Sequence, residues 1–176
     1  MATQAELQKL AETGKRAFDA GEFESAAGAF ETAASGYASL YDDVNAAEMK
    51  NNLSVALLQM GKAREALAAA LGTEGVFAGA HDLKRQGMAI GNQAAALESL
   101  QRFDEALAAY ERSAQLFAEA GEGDLRAMVL KSAAALKLKR GKVTESAFKM
   151  IGSLEAKEKP SLFERLLKFL LRFVQR

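Results

Sequence analysis

The sequence predicts an all-α protein made of four helical hairpins followed by a ninth, C-terminal helix. The first observation is compositional: among 176 residues there are 37 Ala and 23 Leu but only six Val and two Ile. Ala and Leu lose little conformational entropy in a helix, whereas β-branched side chains are stiff there. The second is an internal repeat, because four ten-residue segments align without gaps at a spacing of 40 residues, starting at Gly21, Gly61, Gln101 and Gly141.

Each repeat is predicted to contain two amphipathic helices. In the second repeat, apolar residues recur at three- and four-residue spacing at Leu53, Ala56, Leu57 and Met60, which is typical of one buried helix face. The predicted hairpins span about 4–40, 44–80, 84–120 and 124–156, and together they form one array over residues 1–158.

Turn residues define the expected ends of these helices. The first helix of each repeat is predicted to end in a left-handed residue at Gly21, Gly61, Gln101 and Gly141, where Gln101 adds local strain. The turns between repeats carry residues that are good helix N-caps, namely Asp42, Asp43, Asp82 and Asp124. Whether the second helix of the second repeat continues through Gly72, Gly75 and Gly79 is left open by the sequence.

A set of small residues recurs at one position of the second helices. We expect these residues to be buried against the first helix of each hairpin, where they allow the two backbones to approach closely. They are Ala26, Ala66 and Ala106, and Ser146 stands at the same position of the fourth repeat.

Composition also excludes most catalytic chemistry. The chain has no Cys, which removes thiol nucleophiles and Cys-bound metals, and its one histidine, His81, stands beside Asp82 in a predicted turn. No glycine-rich phosphate loop is present, since the glycines are spread among turns. We therefore expect a non-enzymatic protein with no cofactor and no metal.

The repeats resemble those of tetratricopeptide repeat (TPR) proteins over residues 5–156. The resemblance rests on a small residue midway along each first helix, the turn glycines, the small residue early in each second helix and an aromatic one turn later, as in Phe30 and Tyr110. The midway residues are Gly14, Ser54, Ala94 and Ala134. The sequence departs from the usual pattern of about 34 residues in its longer period, in its lack of the first-helix tryptophan and in its lack of the repeat-ending proline.

The resemblance implies a right-handed superhelical solenoid whose first helices line a concave groove for a protein or peptide partner. It implies the following groove residues: Lys15, Glu48, Asn51, Asn52, Val55, Gln59, Met88, Asn92, Glu98, Met128 and Lys131. Asn52 and Asn92 lie one repeat apart, and two amides so placed can hold an extended peptide backbone; the alternative is that they are solvated or pair within the array. The clamp by which some TPR proteins bind acidic chaperone C-termini is not expected, because only Asn52 matches it.

Residues 159–176 are predicted to form a separate amphipathic, basic helix. Its interaction face is predicted to comprise Phe163, Leu167, Leu170, Leu171, Phe173 and Val174, with Arg165, Lys168 and Arg172 as its basic residues. One flank of the apolar arc suffices to cap the array. The remainder can be covered by a second copy in a homodimer, by an anionic membrane surface or by the protein's own groove.

Charge is divided along the chain although the net charge is zero. Residues 1–124 carry ten Lys and Arg against nineteen Asp and Glu, and residues 125–176 carry thirteen against four. This asymmetry suggests head-to-tail association or an anionic surface for the basic end, unless both charge sets are simply solvated. Nucleic acid is not an expected partner, because the aromatics of the basic end fall on its apolar face.

The sequence shows neither a signal-peptide core near its N-terminus nor an apolar run long enough to span a membrane. We therefore expect a cytoplasmic protein, or one peripheral at a membrane through its last helix.

Overall fold

The structure, a computed structural model, describes residues 2–155 and the side chains of residues 2–141. This part of the chain is helical throughout, without a strand. Its helices are α1 (Gln4–Asp19), α2 (Phe23–Ser39), α3 (Asp43–Gln59), α4 (Ala63–Ala70), α5 (Thr73–Gly79), α6 (Leu83–Ser99), α7 (Phe103–Glu119) and α8 (Gly123–Glu155). The all-α prediction is confirmed for the described residues.

The helices pack in the order in which they occur along the chain. Helix α1 packs on α2, α2 on α3, and α3 on α4 and α5, while α6 contacts α3, α4, α5 and α7. These contacts form one compact unit, Met1–Ala134, and residues 135–176 form a second. The boundary between the two units falls within α8.

The helices are separated by turns that repeat every 20 residues. In the first turn, Gly21 N donates to Phe18 O at 2.9 Å and Glu22 N donates to Ala17 O at 2.8 Å. This pair of bonds is the Schellman motif, in which a left-handed residue satisfies the last carbonyls of a helix. The residues with positive φ at the 20-residue spacing are Gly21 (78°), Tyr41 (57°), Gly61 (74°), His81 (56°), Gln101 (60°) and Gly121 (73°).

The turns predicted at Gly21, Gly61 and Gln101 are thus confirmed, but the turn predicted at Gly141 is wrong. Helix α8 continues through Gly141 to Glu155, so the first helix of the fourth unit does not end there. Glycine permits a left-handed residue without imposing it. The aromatic at 37, 77 and 117 that ends the three earlier second helices is replaced by Lys157 in the fourth unit, which removes a large apolar anchor for a hairpin.

Within the hairpins, close backbone approach depends on small residues opposite large ones. A Cβ added at Gly14 would lie 2.7 Å from the Phe30 ring, and one added at Gly87 would lie 2.9 Å from the Phe117 ring. Neither site has room for a larger side chain. The expected burial of Ala26, Ala66 and Ala106 is confirmed, because all three have no exposed surface.

The second helix of the second repeat is broken, which settles the question that the sequence left open. Helix α4 ends at Ala70, Leu71 is extended (φ −62°, ψ 132°), and Gly72 takes a left-handed φ of 84° before α5 begins. The equivalent helices α2 and α7 run unbroken for 17 residues each.

We expect Ala106→Leu to lower the free energy of unfolding by about 1–3 kcal/mol, because the added atoms overpack a contact that has no free space. The measurement is chemical denaturation followed by helical circular dichroism. Ala108→Leu is the matched control, since Ala108 is exposed on the same helix. Equal stability of the two variants would show that the buried face of α7 has been assigned wrongly.

Candidate functional site: the face of the first helices

The candidate site is the side of α1, α3, α6 and the first turns of α8 that the second helices do not cover. Most of the predicted groove residues have solvent-accessible side chains there. Those that are exposed there are Lys15, Gln59, Met88 and Met128. Lys131 is exposed too, but it stands at the position of Gly91, which meets Ser113 of a second helix, and so it does not lie on this face. Those that are half-buried are Glu48, Asn52, Val55, Asn92 and Glu98.

A cavity brings three of these residues together at the N-terminal end of the face. It has a volume of about 130 Å³, and its walls come from α1, α2 and α3. Its lining residues are Lys15, Phe18, Asp19, Phe30, Asn52 and Val55. Two aromatic rings and an aliphatic side chain are thus combined with an ammonium, a carboxylate and an amide. A cavity of this kind suits one side chain of a bound peptide with a polar group at its edge.

The two amides Asn52 and Asn92 keep their hydrogen-bonding capacity. Among the side chains that the structure describes, neither amide forms a hydrogen bond with another residue, although each is half-buried. An amide has two donors and a carbonyl oxygen, so each of these residues can both donate to and accept from a peptide backbone.

Asn51 was predicted to line the groove, and that prediction is wrong. Only 7% of Asn51 is exposed, and its Oδ1 accepts a hydrogen bond from Thr73 Oγ1 at 3.1 Å. Consecutive helical residues differ by about 100° in direction, so the neighbour of a groove residue can face the core. Asn51 therefore belongs to the interior of the second repeat.

Asn51 is part of a polar network around the break between α4 and α5. The break leaves Ala70 O without a helical partner, and this oxygen accepts from Thr73 Oγ1 at 2.7 Å and from Gln93 Nε2 at 3.0 Å. Gln93 Nε2 also lies 2.6 Å from Glu74 Oε2. Thr73 and Gln93 have no signal in the sequence, because their partners Asn51 and Ala70 are 22 and 23 residues away.

Glu98, another predicted groove residue, is engaged within its own hairpin. Its Oε2 accepts a hydrogen bond from Tyr110 Oη at 3.0 Å. Burial raises the pKa of the Tyr110 phenol, and the nearby Glu98 carboxylate raises it further. The phenol therefore stays protonated and keeps donating to Glu98 throughout the neutral range.

A chain of charges links the three successive first helices. Lys15 Nζ lies 3.8 Å from Glu48 Oε1, and Glu48 Oε2 lies 3.1 Å from Arg85 Nη1. Arg85 also bonds Asp82 Oδ2 through Nε at 2.6 Å. The guanidinium carbon lies 5.2 Å from the centre of the Phe77 ring, within the range of a cation–π contact. The sequence analysis assigned no role to Arg85. The spacing of three residues from Asp82 is compatible with an ion pair on one helical turn, and this spacing was the available signal for Arg85.

Asp82 is also the N-cap of α6, as predicted, and Asp42 caps α3 in the same way. The caps predicted at Asp43 and Asp124 are wrong, because these residues lie inside the first turns of α3 and α8. Arg85 N donates to Asp82 Oδ1 at 2.8 Å, and Asn45 N donates to Asp42 Oδ1 at 3.1 Å. The bond from the Arg85 backbone lowers the pKa of Asp82 below its usual value, and the Arg85 side chain lowers it further.

The interaction face predicted for the C-terminal helix, Phe163 to Val174 with its three basic residues, lies outside the described residues. No helix among the residues that the structure describes has the length and apolar character needed to cross a bilayer.

No known family matches this chain, and no curated protein matches its sequence. The likeness to TPR proteins therefore rests on the residues themselves.

Asp82→Ala should lower the free energy of unfolding by about 1 kcal/mol at pH 7, since it removes an N-cap. A carboxylate with a lowered folded pKa stabilises the fold above its unfolded pKa, and this contribution is lost as the pH falls through the folded value. The difference between wild type and variant should therefore shrink below about pH 4.

The measurement is urea denaturation at a series of pH values. Asp82→Asn serves as control, because an amide keeps the capping acceptor without the titrating charge. A wild-type advantage over Asp82→Ala that stays constant down to pH 2 would contradict the assignment.

Proposed function

We propose that this protein is a non-enzymatic scaffold that binds a peptide segment of a partner protein on the face of its first helices. In this proposal the hairpins are TPR-like repeats wound into a right-handed solenoid, and the bound segment runs across α1, α3, α6 and the start of α8. The observation that carries the proposal is the pair of half-buried amides, Asn52 and Asn92, which bond to no other described side chain and stand one repeat apart.

The chemistry of the face changes along its length, and this change supports an extended ligand. One position near the start of each repeat is occupied in turn by Gln8, Glu48, Met88 and Met128. The two Met side chains are exposed, and an unbranched thioether adapts to apolar groups of varied shape. Polar and charged groups surround the cavity at the N-terminal end. A matching peptide carries one side chain for the cavity and apolar side chains for the Met residues.

Burial of the amides argues against simple solvation. A half-buried amide has lost part of its water, and a peptide backbone can replace that water at little further desolvation cost. Because the backbone amide is common to every peptide, Asn52 and Asn92 would supply affinity, and the cavity and Met residues would supply selectivity.

A random-peptide phage library selected on the full-length protein tests this proposal. We expect Asn52→Ala combined with Asn92→Ala to weaken the selected peptides roughly tenfold, since hydrogen bonds are worth about 0.5–1.5 kcal/mol each. Affinity is measured by fluorescence anisotropy of a labelled synthetic peptide, and folding is checked by thermal melting.

Gln115→Ala is the control, because this exposed amide lies on α7, a second helix. It should leave peptide affinity unchanged. Peptides that bind the double variant as tightly as the wild type would place the site elsewhere, and a library that yields no binder would remove the support for a peptide-binding face.

A further inference from the structure

The cavity between α1, α2 and α3 combines apolar walls with polar groups that have no partner. Phe18, Phe30 and Val55 supply the apolar walls. The carboxylate of Asp19 and the amide of Asn52 also line the cavity, and neither bonds to another side chain among the residues that the structure describes. A carboxylate only accepts hydrogen bonds, whereas an amide both donates and accepts. A ligand that matches this cavity therefore has an apolar body and a group that donates a hydrogen bond to Asp19.

The third repeat shows which chemical group occupies the equivalent place there. The residues 80 positions after Phe18, Phe30 and Asn52 are Glu98, Tyr110 and Ser132. Tyr110 Oη donates a hydrogen bond to Glu98 Oε2 at 3.0 Å, and Ser132 is the other polar neighbour of the phenol. A phenol hydroxyl thus lies between a carboxylate on one first helix and a polar side chain on the next.

The first repeat has the two polar groups but not the phenol. Asn52 stands at the position of Ser132, and Asp19 supplies a carboxylate one residue after the position of Glu98. Phe30 stands where the third repeat has Tyr110, and its ring carries no hydroxyl. The space that remains is the cavity. The chain therefore leaves open in its first repeat a place that it fills with a phenol in its third.

The size of the cavity suits one six-membered aromatic ring. Its volume is about 130 Å³, close to the roughly 150 Å³ of a protein cavity that binds benzene. The ring of Phe18 packs edge-on against Phe23, with the two ring centres 5.3 Å apart, so this wall is supported before a ligand binds. Aromatic rings at such distances attract one another beyond the effect of their buried area.

We propose that the cavity binds a tyrosine side chain of the partner's peptide, with the phenol hydroxyl donating to Asp19 and accepting from the amide of Asn52. A phenol hydroxyl has one donor and two acceptor lone pairs, so it satisfies both groups at once. The second N–H and the carbonyl oxygen of Asn52 remain for the peptide backbone. This inference rests on the proposed function for the source of the tyrosine, and it names the residue by which the partner is selected.

Other side chains match the cavity less well. A phenylalanine ring fills the space but donates nothing to Asp19, and an indole donates but cannot accept from Asn52. A lysine or arginine side chain would bring a second cation beside Lys15, and a carboxylate would bring a second anion beside Asp19.

Two small probes test the cavity without a peptide. We expect p-cresol to bind the full-length protein roughly fivefold more tightly than 4-methylanisole, which has the same ring and an ether oxygen but no donor. Affinity is measured by NMR titration of the Val55 methyl signals. The methyl signals of Val129, which packs near Gly91, serve as the reference and should not shift.

Replacement of the carboxylate identifies the group that the phenol recognises. Asp19→Ala should reduce the affinity for p-cresol to that for 4-methylanisole and leave the latter unchanged. Glu12→Ala is the matched control, because Glu12 is an exposed carboxylate on the same helix and does not line the cavity. It should keep the difference between the two probes. Thermal melting checks that both variants are folded.

The selected peptides test the source of the phenol. Peptides from the phage library should carry a tyrosine, and its replacement by phenylalanine should weaken binding roughly fivefold to the wild type but not to Asp19→Ala. Asn92→Ala separates the two proposals, since this residue lies outside the cavity. It should weaken the peptides and leave the affinity for p-cresol unchanged.

Equal affinity for p-cresol and 4-methylanisole, or no shift of the Val55 methyl signals at millimolar probe, would overturn this inference. Peptides that depend on Asn92 but contain no tyrosine would also overturn it, and the proposed function would stand. Binding of p-cresol that requires Asp19, together with a library that yields no peptide, would confirm the phenol site and remove the proposed function.

Discussion

The part of the chain that the structure describes depends on one backbone constraint, a left-handed residue every twenty residues. The residue at positions 21, 41, 61, 81, 101 and 121 closes the helix before it, and the next residue opens the helix after it. Glu22 accepts from Ala26 N as the first acceptor of α2, while its own N–H completes the bonds that end α1. Each helix therefore starts at a fixed rotation relative to the last, and the same faces meet in successive hairpins.

This constraint explains which parts of the fold could be predicted from the sequence. Gly21 and Gly61 directly indicate left-handed turns at their positions. The 40-residue alignment predicts the same turn at Gln101, where no glycine is present. The turns at Tyr41 and His81 carry no glycine, and the signals for them were the acidic residues that follow, Asp42, Asp43 and Asp82. Gly141 shows that a glycine alone does not predict a turn. Glycine is compatible with both a left-handed turn and a continuous helix, and tertiary contacts decide between them.

The groove could be predicted as a face but not as a set of contacts. The set of groove residues came from the resemblance to TPR proteins, and three of them, Lys15, Asn52 and Val55, line one cavity. Asn51 was misassigned because a single step along a helix turns a side chain from the groove toward the core. The network of Thr73 and Gln93 could not be foreseen, because its acceptor, Ala70 O, is available only where the helix is broken.

The strict spacing of the turns has a consequence for how such a chain changes in length. A segment of 40 residues, such as 43–82, begins and ends at equivalent points of the backbone, so its removal or duplication leaves every remaining helix with the same rotation. The insertion of a single residue within a helix instead turns all that follows by about 100°. Recombination between the repeated segments of a coding sequence therefore yields longer or shorter arrays that still pack, while small insertions are tolerated only at the turns.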